Sequence, residues 1–177
     1  VHARAAGRPP VSSTLNFLFR DLHPQVALGT ATDRYAGWVG QIYTPGRYAG
    51  RVTRRTHEVG GRPFVEEVLP VASVEEYFEH FGVLELDATF YRPLLDEHLH
   101  PTETFHLLRT YADHLKADDR VILKAPQAVV APRLRRPGGF VANPDYLDAE
   151  VFTRRFYAPA VKLLHEHLAG MLFEQEY

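Results

Sequence analysis

Val83-Leu84-Glu85-Leu86-Asp87-Ala88-Thr89-Phe90 alternates apolar and polar residues with a period of two. Successive side chains of a strand point to opposite faces, so Leu84, Leu86, Ala88 and Phe90 share one face and Glu85, Asp87 and Thr89 the other. The central strand of an open parallel sheet tends to be apolar on both faces, whereas a strand in a barrel wall can carry polar residues inward. The segment therefore favours a barrel wall, with Glu85 and Asp87 about 6.5–7 Å apart on its inner side.

On its N-terminal side, Ser73-Val74-Glu75-Glu76 has the spacing of a capping box, and Val74, Tyr77, Phe78 and Phe81 then recur at helical intervals. On the other side, Phe105, Leu108, Tyr111, Ala112 and Leu115 predict a helix over 102–116. Arg120-Val121-Ile122-Leu123-Lys124-Ala125 is expected to be a buried strand stopped by Pro126. Asp148 is a candidate cap for a long helix, kinked or restarted at Pro159, and Ala169–Glu174 gives a further strand. Val26–Ala31 supplies the first strand. The glycine-rich stretch 32–72 after it reads as a long loop that has room for a hairpin at Gly60-Gly61, and 126–147 as a second loop. Strand and helix in regular alternation imply parallel strands joined by crossovers. The expected fold is α/β: a TIM-type (β/α)8 barrel of which residues 26–177 supply the N-terminal half, about four βα units. Residues 1–25 are expected to form a leader, poorly ordered in part.

Composition narrows the function classes. With 45% hydrophobic residues the chain can bury a substantial core. It has no cysteine, which removes thiol chemistry and thiolate metal sites and fits a reducing, cytoplasmic setting. No apolar run approaches the roughly 20 residues needed to span a bilayer, so no membrane partner is expected. A net charge of -2 gives the whole molecule no pull toward nucleic acid. Neither a GxGxxG nor a GxxxxGK[ST] phosphate turn occurs, nor a GxSxG elbow, and no cofactor is expected.

Four segments in order resemble the family called domain of unknown function 72, or YecE-like. Gly29-Thr30-Ala31-Thr32-Asp33-Arg34-Tyr35-Ala36-Gly37-Trp38 through Tyr43-Thr44-Pro45-Gly46 is similar to its opening pattern. Glu85-Leu86-Asp87-Ala88-Thr89-Phe90-Tyr91-Arg92 is similar to its strand ending in TFYR, Ile122-Leu123-Lys124-Ala125-Pro126 to its VKAP segment, and Gly170-Met171-Leu172-Phe173-Glu174 to its GxxLFQFP strand. The family usually has asparagine where Asp87 stands, glutamine where Glu174 stands, and a proline pair at Glu176-Tyr177. The resemblance implies a barrel of roughly 250 residues, so the missing half is expected from further sequence or from another subunit. It implies no established activity.

Barrel active sites lie at the C-terminal strand ends. Glu85, Asp87, Lys124 and Glu174 are the candidate catalytic residues, a lysine among carboxylates whose proton affinity is expected to move toward neutrality. A structural ion-pair network is the competing reading. Arginines cluster after the strands: Arg34, Arg47, Arg51, Arg54 and Arg55, then Arg92, then Arg133, Arg135 and Arg136. Arg34, Arg92 and Arg133, with Tyr35, Trp38 and Tyr91 for stacking, are the candidate ligand-binding residues. The expected ligand is an anionic or sugar-like small molecule bearing phosphate or carboxylate. The alternative is a non-catalytic binder, of nucleic acid among others. His98-Leu99-His100, near Asp96 and Glu97, has metal-ligand residue types, but surface histidines are the better account and no metal is expected.

Overall fold

The computed structural model describes residues 18–175. In chain order it runs β1 (Gly29–Thr30), the hairpin β2 (Thr53–Val59) and β3 (Arg62–Val68), α1 (Val74–His80), β4 (Val83–Leu86), α2 (Glu103–Ala112) and β5 (Arg120–Lys124). There follow α3 (Gln127–Val130), the hairpin β6 (Arg133–Arg136) and β7 (Gly139–Ala142), α4 (Ala149–Phe152), α5 (Ala158–Leu164) and β8 (Leu168–Leu172). β1, β4, β5 and β8 form one sheet in that spatial order, parallel throughout. Chain order and sheet order coincide, so the strand order never reverses as it does at the switch point of a doubly wound sheet.

Leu84, Leu86, Val121 and Leu123 are buried and share one core with Tyr77 and Phe78 of α1, Leu108 and Tyr111 of α2, and Ala160 and Leu164 of α5. Each of the larger aliphatic side chains among them contributes about 1.5–3 kcal/mol by leaving water. The alternate residues Val83, Glu85, Arg120, Ile122 and Lys124 face the other way and stay partly exposed. The helices thus cover a single face of the sheet. Gly29 lets β1 approach β4: a Cβ there would sit 1.9 Å from the Val83 carbonyl oxygen.

Several boundaries differ from expectation for local reasons. The strand of 83–90 stops at Leu86, because Asp87–Thr89 turn as a 3-10 helix and the Thr89 hydroxyl donates to the Leu86 carbonyl at 2.9 Å. Ser73 does not cap α1: it closes a 3-10 turn over Val71–Ser73 and has helical backbone angles. Its intended partner Glu76 is buried and instead accepts from the Thr44 amide and hydroxyl, Tyr48 and Arg47, pinning the long loop after β1. Asp148 does cap its helix, accepting from Glu150 and Val151 at 2.8 and 2.9 Å. Pro159 cannot donate to the Arg155 carbonyl; a π-helical turn over Thr153–Tyr157 joins α4 to α5, and the Leu95 amide takes that carbonyl at 3.0 Å.

The leader of 1–25 lies outside the described residues up to 17; beyond that, Phe19 and Arg20 donate their amides to the His80 carbonyl, and Arg20 pairs with Asp119 at 2.8 Å. Glu176 and Tyr177 also lie outside the described residues. Among the described residues no helix is long and apolar enough to cross a membrane.

Candidate active site at the C-terminal end of the sheet

Lys124 ends β5, and its register partners place charged neighbours on both sides. The strand ends with Leu86 paired to Leu123, so Asp87, the next residue, comes beside Lys124 as the chain turns. Lys124 pairs with Leu172, and Glu174 lies two residues past it on the same face. The ammonium reaches Asp87 Oδ1 at 2.8 Å, Glu174 Oε2 at 2.8 Å and Glu85 Oε1 at 3.6 Å. All four candidate catalytic residues therefore meet. Thr89, buried and earlier assigned only to the polar face, ties the two strand ends by donating to the Lys124 carbonyl at 2.8 Å as well as to Leu86.

The electrostatics run opposite to the expected direction. Hydrogen bonds to Asp87 and Glu174 raise the Lys124 ammonium well above an ordinary lysine, against a smaller opposing effect of burial. Lys124 is held as a cation rather than moved toward neutrality. It can steady negative charge, and proton acceptance falls to the carboxylates.

Glu85 and Asp87 also form one wall of a cleft of about 600 Å³. The opposite side is built by the loop after β1, with Asp33 and Arg34, and by the β2–β3 hairpin, whose cross-strand pair Arg55 and Glu66 lines the cleft. Two bonds stitch the hairpin base to that loop: the Leu69 amide to the Arg34 carbonyl, and Arg34 Nε to the Leu69 carbonyl at 2.6 Å. Tyr91, 71% exposed, stands at the rim. Lys124 and Glu174 join through Asp87 and do not themselves line the cleft.

Asp33 was missed by sequence reasoning. It is buried, lines the cleft, and accepts from the Tyr111 hydroxyl at 2.8 and 3.1 Å. Burial pushes its carboxyl up to about 6, with the Tyr111 bond and Arg34 pulling the other way. An isolated aspartate in the long stretch 32–72 has no periodicity to mark it, and its partner lies 78 positions away.

The remaining candidates are placed elsewhere. Tyr35 and Trp38 meet edge to face at 5.9 Å, Trp38 packs on the core, and neither lines the cleft. Arg92 points to Glu103 at 3.6 Å, in a separate hollow shared with Asp96 and Arg155. Arg133 lies on the β6–β7 hairpin. Tyr43, from the same loop as Tyr35 and Trp38, is buried in the core. Arg47 and Arg54 are committed to Glu76 and Glu67. Asp96 accepts from the amides of His98 and His100, and no group of three or more His, Asp or Glu among the described residues could hold a metal ion.

Comparison with known proteins gives no match: no family model, curated protein or solved structure corresponds to this chain.

Proposed function

We propose that this chain is the N-terminal half of a TIM-type barrel of the YecE-like family, and that its cleft takes a sugar-like small molecule for acid/base chemistry. What supports the barrel is a singly wound arrangement: parallel strands in chain order, helices on one face, and charged side chains on the other. Closing such a barrel takes four further strands. The observation that carries the functional reading is the Lys124 ammonium fixed among Glu85, Asp87 and Glu174 at the C-terminal strand ends, two of those carboxylates forming a cleft wall.

Charge balance chooses between the two ligand classes expected from the sequence. Glu85, Asp87, Asp33, Glu66 and Glu103 line the cleft against Arg34 and Arg55, and the acids stay in excess even with Lys124 beside Asp87 and Arg92 beside Glu103 counted, which disfavours a phosphate or carboxylate ligand there. Carboxylates accept from hydroxyls, and an exposed tyrosine ring at the rim stacks on a sugar face. In this reading Asp87 or Glu85 takes the proton, and Lys124 holds the carboxylates in place.

Saturation-transfer NMR against neutral monosaccharides and sugar phosphates tests the reading. Neutral sugars are expected to bind, and Tyr91→Ala or Glu85→Gln to weaken them several-fold without changing the circular dichroism. Lys124→Met should keep binding and abolish turnover of any substrate found. Binding to no sugar, or binding indifferent to both cleft substitutions, contradicts the assignment.

A further inference from the structure

Arg133, Arg135 and Arg136 stand within four residues on β6, and the segment from Ala131 to Asn143 contains no acidic residue. None of the three forms an ion pair among the described residues; Arg133 donates across the hairpin to the Phe140 carbonyl at 3.0 Å. Elsewhere Arg20, Arg47, Arg54, Arg154 and Arg155 each have a carboxylate partner. On β7, Phe140 is 60% exposed. The register sets Arg135 opposite Phe140 and Arg133 opposite Ala142, so both arginines and the ring share one face of the ribbon. Arg133 and Arg135 are about 6.5–7 Å apart along it. A hollow of about 600 Å³ lies between Arg135, Arg136, Phe140 and the Pro137-Gly138 turn.

The hairpin is held in place at its base. Asn143, nearly buried, donates from Nδ2 to the Ala128 and Ala131 carbonyls at 2.9 and 2.8 Å, and its amide donates to Pro132 at 3.0 Å. Gly138 and Gly139, with φ of 96° and 127°, make the reversal. Charge and ring are therefore offered to solvent by a preorganised ribbon.

We propose that the β6–β7 hairpin is a binding surface for single-stranded nucleic acid, with Arg133 and Arg135 on successive phosphates, Arg136 adding positive charge beside the turn, and Phe140 stacked on a base. Guanidinium groups match phosphate geometry, and an exposed aromatic ring accepts any unpaired base. An acidic polypeptide would satisfy the arginines but leave Phe140 unused. A duplex would satisfy them but withhold its base faces. The surface is separate from the cleft and does not depend on the function assigned to it.

Fluorescence anisotropy of the full chain with a labelled oligothymidylate tests this. Arg133→Ala, Arg135→Ala and Arg136→Ala together should weaken binding at least about tenfold, and should lower the slope of log affinity against log salt by at least about 1.4, at roughly 0.7 for each of the two phosphates held on the ring's face. Phe140→Ala should weaken oligothymidylate roughly tenfold and leave polyglutamate binding unchanged. A control removing the same charge from exposed helix and turn positions, Arg109→Ala, Lys116→Ala and Lys162→Ala, should leave affinity within about twofold. No binding by the unmodified chain overturns the proposal. So does equal affinity for duplex DNA, anionic vesicles or polyglutamate, or an equal loss in the control.

Discussion

Asp33 is an acid that the fold holds in its protonated form more readily than water does. Its carboxyl is 3% exposed and pushed up to about 6 from 3.8, burial outweighing the Tyr111 hydroxyl and Arg34. Between those values the folded chain binds more protons than the unfolded one. Stability from this group is therefore greatest below pH 3.8 and is lost as pH rises through about 6, a swing of about 3 kcal/mol. Glu76 works in the other sense: burial raises its carboxyl, but bonds from Thr44, Tyr48 and Arg47 outweigh it and lower the pKa, so its contribution is lost in acid. Asp33→Asn keeps an acceptor for Tyr111 and removes the titration. Urea denaturation from pH 4 to 8 should show the variant gaining on the parent by about 1–3 kcal/mol as pH rises; parallel profiles would contradict the burial argument.

At the scale of elements, packing rather than propensity fixes the sheet. β1 is only two residues long, and it is held against β4 because position 29 has no side chain. Gly29→Ala should push β1 off Val83 and cost about 2 kcal/mol or more in urea denaturation. A change within experimental error would mean that β1 does not pack against Val83. The strongly periodic elements were legible: α1 and α2 by their apolar stripes, β5 by its run of aliphatics, the long helix by Asp148. The hairpin at Gly60-Gly61 was legible because two adjacent glycines, at φ of 58° and 75°, suit a tight two-residue reversal. The β6–β7 hairpin was not, because its strands carry arginines rather than an alternating apolar face, and Pro137-Gly138-Gly139 reads equally well as loop. The end of β4 was misplaced because Ala88 and Phe90 continue the alternation while Thr89 folds back on Leu86.

At the scale of the whole molecule, four parallel strands in chain order with helices on one face gather distant residues at a single strand end. That gathering was legible for Glu85, Asp87, Lys124 and Glu174, since strand alternation and parallel register suffice to place them together. Arg34, Tyr91 and Arg55 at the cleft, and the exclusion of Trp38 and Arg133 from it, depend on where loops and hairpins fold back, which no local pattern encodes. The sign of the Lys124 shift also escaped sequence reasoning, because it depends on two 2.8 Å contacts outweighing burial.

The chain contains three lysines, so the titration of Lys124 can be followed individually through its 13Cε resonance. Lys124 is expected to remain protonated well beyond the pH of about 10.4 at which an ordinary lysine titrates, and Asp87→Asn with Glu174→Gln to bring it down. A Lys124 half-titrated at or below that pH would contradict the claim that its ammonium is clasped by carboxylates at the end of the sheet.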